Sequence, residues 1–131
     1  MPSIILGMHN TSATDDLRES WESVFRQGLL TFWTFVVLDE AAGDVGAIRA
    51  RVEKVTDGAY RPSEQVLYRQ LRRHTDVGLV ERHQEQSPHG PARNIFSLSK
   101  LGRSVLESFA YRNIRAFSDP VVQAIIERGA K

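Results

Sequence analysis

Hydrophobic positions along this chain fall mostly into helical registers, interrupted once by a pair of short β-type runs. Ser12 and Asp15 stand at capping-box spacing, and Leu17, Trp21 and Val24 follow at helical intervals. Gly28–Leu38 is apolar nearly all round, with Leu29, Leu30, Phe32, Trp33, Phe35, Val36, Val37 and Leu38. A helix of that kind must be covered on more than one side, and in so short a chain the second cover is expected to be another subunit. Asp39–Gly43 closes it. Asp44 can cap a second helix with Val45, Ile48, Val52 and Val55 as one apolar stripe, broken by Asp57–Gly58.

The next stretch, Arg61–Arg103, is the most informative. With Ser63 as N-cap, winding at about 100° per residue puts Leu67, Leu71 and His74 on one face. Gln65, Arg69, Arg72 and Arg73 spread across the other. Gly78 suits the end of this helix, because glycine tolerates left-handed geometry. Two β-type runs follow, Leu79–Gln84 and Arg93–Leu98, separated by the turn formers SPHGPA. Ser97 or Ser99 can cap a fourth helix whose apolar positions are Leu101, Val105, Leu106, Phe109 and Phe117. Ser118–Asp119–Pro120 then opens a short terminal helix. The pattern predicts a mainly α fold with a small antiparallel β-hairpin: a winged helix-turn-helix with N- and C-terminal dimerisation helices. The expected division is a disordered N-terminus at 1–12, the winged helix-turn-helix at 13–98 and dimerisation helices at 99–131.

Charge sharpens this picture. The net +1 conceals an asymmetry: residues 1–60 carry 5 Lys and Arg against 9 Asp and Glu, whereas residues 61–103 carry 8 against 4. Phosphate binding follows the local field, because screening removes charges beyond about 10 Å. A basic middle segment therefore suits double-stranded DNA despite the modest total. The 131 residues suffice for one domain with a core. The chain has no apolar run of membrane-spanning length, no basic leader and no cysteine, so a cytoplasmic protein with no membrane partner is expected.

If the basic helix enters a major groove, its arginines can bond guanine O6 and N7, and Gln65 can do the same for adenine. Ser63 begins that helix. Tyr68, on its flank, fits either a phosphate contact or closure of the core. At the hairpin tip, His89, Gly90 and Arg93 suit phosphate or minor-groove contact. His74, among leucines, is expected to be neutral and to hold a backbone carbonyl. The four histidines lack metal-ligand spacing, and no cofactor is expected. There is no glycine-rich phosphate loop, nucleophile elbow or histidine–carboxylate cluster, so catalysis is not expected.

Three blocks carry a resemblance to the PadR-type transcriptional regulators, running from about Phe25 to Arg103. FRQGLLTFWTFVVLDE resembles the family's first helix, with Arg26 and Gly28 in its arginine-x-glycine position. PSEQVLYRQLRRHTDVGLVE resembles its recognition helix and exit, through Pro62, Ser63, Leu67, Tyr68, Leu71, Arg73, Gly78 and Leu79. HGPARNIFSLSKLGR resembles its wing, through Gly90, Arg93, Phe96, Leu98, Gly102 and Arg103. Departures occur at Gly46–Ala47, where a glycine-tyrosine pair is usual, at Arg69 in place of proline, and at His74 in place of leucine. The short tail is similar to that of the smaller subfamily.

The resemblance implies a homodimeric repressor on a pseudo-palindromic operator, released by a small aromatic or hydrophobic effector. Trp21 and Trp33 are the candidates to line an effector pocket. Two other readings fit parts of the pattern. One is a MarR-like winged-helix regulator, disfavoured by Arg26–Gly28 and the short tail. The other is a winged-helix module that binds acidic protein partners instead of DNA.

Overall fold

The computed structural model describes residues 10–130. Of the expected disorder over residues 1–12, residues 1–9 lie outside the described residues, whereas residues 10–12 are helical. The first element, α1, is a single helix over Asn10–Glu40, about 46 Å long at 1.5 Å per residue. Its described span opens at Asn10, so Ser12 and Asp15 lie within the helix and not at its start as their spacing suggests. Gly28 does not break it either; the cost of one mid-helix glycine, about 1 kcal/mol, is small against 31 residues of continuous helix.

The two halves of α1 have different surroundings. Phe35, Val37 and Leu38 are buried in the core, and Leu29, Leu30, Phe32, Trp33 and Val36 pack partly against it. Part of the cover expected from a second subunit over Gly28–Leu38 is thus supplied within the monomer, while Leu29, Leu30, Phe32, Trp33 and Val36 keep some exposure. The uncovered apolar stripe lies further toward the N-terminus, where Leu17, Trp21 and Val24 are exposed.

Helix α2, Val45–Val55, is capped by Asp44, whose Oδ1 accepts the Ala47 amide at 2.8 Å. Ile48 and Val52 enter the core, while Val55, expected on the same stripe, is exposed. Asp57 and Gly58 take positive φ of 52° and 81° and turn the chain toward α3, Glu64–Asp76. Ser63 caps α3 by accepting the Val66 amide at 3.1 Å. Gly78 ends it at φ 84°, and the Leu79 amide reaches back to the His74 carbonyl at 2.9 Å, as in a Schellman closure.

Strands β1, Val80–Ser87, and β2, Gly90–Leu98, form an antiparallel hairpin. Both are longer than the expected Leu79–Gln84 and Arg93–Leu98. Pro91 does not end pairing, because the register slips beyond Glu85–Arg93 before Ser87 meets Gly90, and a residue without an N–H fits such a bulge. On its other edge, β2 exchanges two bonds with the α1–α2 connection, Gly43 N–H to the Phe96 carbonyl at 3.0 Å and Phe96 N–H to the Gly43 carbonyl at 2.9 Å.

Ser99, not Ser97, caps α4, Lys100–Phe109. Its buried hydroxyl accepts the Gly102 amide at 2.9 Å and donates to the Gly78 carbonyl at 2.7 Å. The helix then loosens into a π-turn at Ala110–Ile114 and a 3-10 turn at Arg115–Ser118. Phe117 therefore sits on the 3-10 turn, not on α4 as its spacing suggested. Asp119 caps α5, Pro120–Gly129, through the Val121 amide at 2.9 Å, with proline in the first turn.

Candidate nucleic-acid interface

Helix α3 is held by its leucines. Leu67 and Leu71 are fully buried, and His74 is half-buried on the same face. The His74 ring meets Phe35 edge-on at 5.1 Å, and its Nε2 lies 3.4 Å from Thr31 Oγ1. Thr31 also donates to Gln70 Oε1 at 3.2 Å, so one α1 hydroxyl fastens two positions of α3. The expected partner, a backbone carbonyl, is not what His74 holds. The nearest face is a helix whose carbonyls are used internally, and the free polar group there is a side-chain hydroxyl. Burial, and then the positive charge of Arg73, lower the His74 pKa from its usual 6.5.

With one face anchored, the other points outward. Gln65, Arg69, Arg72 and Arg73 are all exposed. Among the described residues none of these three arginines has a carboxylate at ion-pair distance, whereas Arg18, Arg26, Arg49, Arg61, Arg93 and Arg103 each have at least one. Long cationic side chains without a carboxylate partner can turn toward an external anion without breaking an ion pair, so this face can make phosphate or base contacts.

The other residues singled out in the sequence divide. Ser63 is exposed, with its hydroxyl engaged as the α3 cap. Tyr68 is half-buried with its ring 6.2 Å from Phe96 at 76°, which favours closure of the core. His89 and Gly90 are exposed at the hairpin tip. Arg93 is already engaged: it binds Glu85 across the hairpin and Asp44 at the start of α2, at 3.3 Å for the latter. It braces the wing instead of presenting a free guanidinium. Arg82, by contrast, was not singled out. It pairs with Phe96 across the hairpin, which puts both side chains on the sheet face toward α3. Strand register, unknown from one sequence, was the missing signal.

Trp21 and Trp33 do not share a site within one chain. They are 12 residues apart on α1, about 18 Å along its axis. Trp21 is exposed. Trp33 lines a groove of about 420 Å³ with Phe25, Leu29, Phe32, Tyr60 and Phe117. Among the residues that line it, the buried Trp33 indole N–H and the buried Tyr60 hydroxyl have no hydrogen-bond partner. Burial raises the Tyr60 pKa above its usual 10.0; the charge of Arg26 and the nearby indole oppose that shift, the indole without reaching hydrogen-bond geometry. No group of three His, Cys, Asp or Glu suited to a metal occurs among the described residues, and no described helix is long and apolar enough to cross a membrane.

No curated protein matches the chain. Solved structures do. A PadR family transcriptional regulator from Eggerthella lenta superposes with a TM-score of 0.64 at 20% identity, over 86% of this chain and 96% of that one. A transcriptional regulator from Clostridium thermocellum gives 0.63 at 16% identity, over 83% and 97%. Bacillus subtilis PadR, solved in complex with operator DNA, gives 0.57 at 14% identity, over 62% and 46%. At these identities the likeness establishes the fold, a winged helix. The model of the transcriptional regulator PadR-like family matches residues 36–108. That match spans α2, α3, the hairpin and nearly all of α4, more than half of the chain, and it places this protein in the PadR-like family of transcriptional regulators, which are not enzymes.

Proposed function

We propose that this protein is a homodimeric, cytoplasmic repressor that lays α3 of each subunit in a major groove of a pseudo-palindromic operator. The observation that carries the reading is the set of exposed, unpaired arginines on a helix whose opposite face is locked to the core. Support comes from the operator complex of the Bacillus subtilis relative. The two recognition helices would meet half-sites about 34–36 Å apart. The hairpin tip, with His89 and Gly90, would reach flanking phosphates. Dimerisation would use the exposed stripe of α1 and the apolar residues of α4 and α5, among them Leu101, Val121 and Ile125.

The effector is a small planar compound, hydrophobic at one end and able to hydrogen-bond at the other. The Trp33–Tyr60 groove offers apolar walls, and two unsatisfied polar atoms are buried in the residues that form them, which supports an apolar ligand with one hydrogen-bonding end. Footprinting on the DNA upstream of the protein's own gene tests binding, symmetry and half-site spacing together. A protected palindrome released by a planar aromatic compound supports the reading. Absence of protection at low salt excludes the DNA-binding reading. Titration of Trp33 fluorescence in a Trp21→Phe background with a panel of planar aromatics tests the effector, and a flat signal throughout removes that part.

A further inference from the structure

A small cleft of about 150 Å³ lies between α3 and β1, lined by Arg72, Thr75, Asp76, Arg82 and Phe96. Phe96 is buried and forms the floor, and the Arg82–Phe96 pairing directs Arg82 to the same side of the hairpin. On α3, Arg72 falls on the wing-facing flank of the exposed arc, next to Tyr68 and Thr75. The Thr75 hydroxyl is committed to the Leu71 carbonyl at 2.7 Å. Neither Arg72 nor Arg82 has a carboxylate at ion-pair distance among the described residues, even though Asp76 lines the same cleft. The scaffold's other wing arginine, Arg93, is held by two acidic residues. The cleft thus carries two uncommitted guanidinium groups against one carboxylate.

We propose that Arg72 and Arg82 together grip one DNA backbone phosphate at the junction of the recognition helix and the wing. The inference rests on the DNA-binding reading above. A phosphate offers acceptor oxygens in several directions, so two guanidinium forks from different elements can bind it at once. The repulsion between the two cations is offset only while the anion is present. Arg72 then fixes the register of α3 on the duplex, and Gln65, Arg69 and Arg73 are left to read base edges. Because β1 supplies half of the grip, the wing and the recognition helix dock as one body.

The test is fluorescence anisotropy with a labelled random-sequence 24-base-pair duplex between 50 and 200 mM potassium chloride. Arg82→Ala is expected to weaken binding about tenfold, the low end for loss of one charged hydrogen-bonding partner. Each single alanine variant, at Arg72 or Arg82, should nearly keep the wild-type salt slope, because the remaining arginine still neutralises the phosphate. The Arg72→Ala/Arg82→Ala variant should lose about 0.9 from that slope, one phosphate contact. Arg72→Ala/Arg82→Lys should retain it, since the ammonium keeps the charge. Unchanged affinity in Arg82→Ala would remove Arg82 from the interface. Slope losses of about 0.9 in each single variant, doubling in the pair, would mean two separate phosphates and overturn the shared grip. Wild-type protein that binds no duplex at 50 mM salt would overturn both this inference and the function on which it rests.

Discussion

Asp44 serves two elements through its two carboxylate oxygens. Oδ1 accepts the Ala47 amide at 2.8 Å and caps α2, while Oδ2 accepts Arg93 from β2 at 3.3 Å. The start of the helix-turn-helix is thereby tied to the base of the wing, beside the Gly43–Phe96 bridge. A side chain that sequence reading takes for a DNA contact is, in the fold, a brace between the start of α2 and the wing.

The cap and the brace are separable by mutation. Asp44→Ala removes both and is expected to lower stability in urea unfolding by about 1 kcal/mol, the usual cost of losing an N-cap. Asp44→Asn keeps an oxygen for the Ala47 amide and should lose less. Arg93→Ala should leave the unfolding midpoint near wild type, because its ion pairs are solvent-exposed. It should also weaken DNA binding less than Arg69→Ala does. If Arg93→Ala proves the more damaging of the two in anisotropy titrations, the bracing role is wrong.

Gly102 is required by contact rather than by backbone conformation. A Cβ built there would stand 2.1 Å from the Leu79 carbonyl oxygen and 2.8 Å from Leu98 Cδ1, where α4 crosses the exit of α3. Backbone cannot yield as a flexible side chain can. Gly102→Ala is expected to cost about 3 kcal/mol or more, at the upper end for overpacking. The control is Gly28→Ala, which meets nothing within 4 Å and should be neutral or mildly stabilising. Equal thermal midpoints for the two variants would contradict the close approach.

Much of this architecture was legible from spacing and punctuation. Ser63, Asp44 and Asp119 cap where their residue types and following apolar registers indicate, and Gly78 takes the positive φ expected of it. What escaped depends on partners distant in sequence. Phe117 keeps the helical spacing of α4, yet the helix unwinds first, because a register says nothing about where packing ends. Arg93 and Arg82 look alike in a sequence. Only the register Glu85–Arg93 and Arg82–Phe96, together with the proximity of Asp44, makes one a brace and leaves the other free. His74 lies on the core-facing side of α3 as its spacing indicates, but its partner Thr31 is 43 residues away.

The His74 contact implies a pH dependence whose sign follows from its depressed pKa. The unfolded chain titrates near pH 6.5, and the folded protein below it. Between those values the unfolded state binds the proton and the folded state does not, so stability rises with pH across that window. The contribution is complete above pH 6.5 and is lost as pH falls through the folded value. His74→Leu should flatten the profile between pH 5 and 7 while keeping the fold, since leucine suits that face. Urea midpoints measured across this range check it, and a variant with the same pH slope as wild type would exclude His74 as the source.

The exposed stripe on α1 bears on assembly. Leu17, Trp21 and Val24 are 64%, 78% and 68% exposed and lie at i, i+4 and i+7, one continuous apolar ridge on a helix that projects from the core. A buried tryptophan is the type of residue that dominates a subunit contact, with truncation costing about 2 kcal/mol, roughly a 30-fold change in dissociation constant. Trp21→Ala is therefore expected to raise the dimer dissociation constant by about that factor in sedimentation equilibrium, without changing the unfolding of the monomer's core. In a Trp33→Phe background, Trp21 emission should shift to the blue as concentration carries the protein from monomer to dimer. A dimer of unchanged affinity in Trp21→Ala, with emission that stays at the wavelength of a solvated indole, would mean that this ridge does not form the subunit contact.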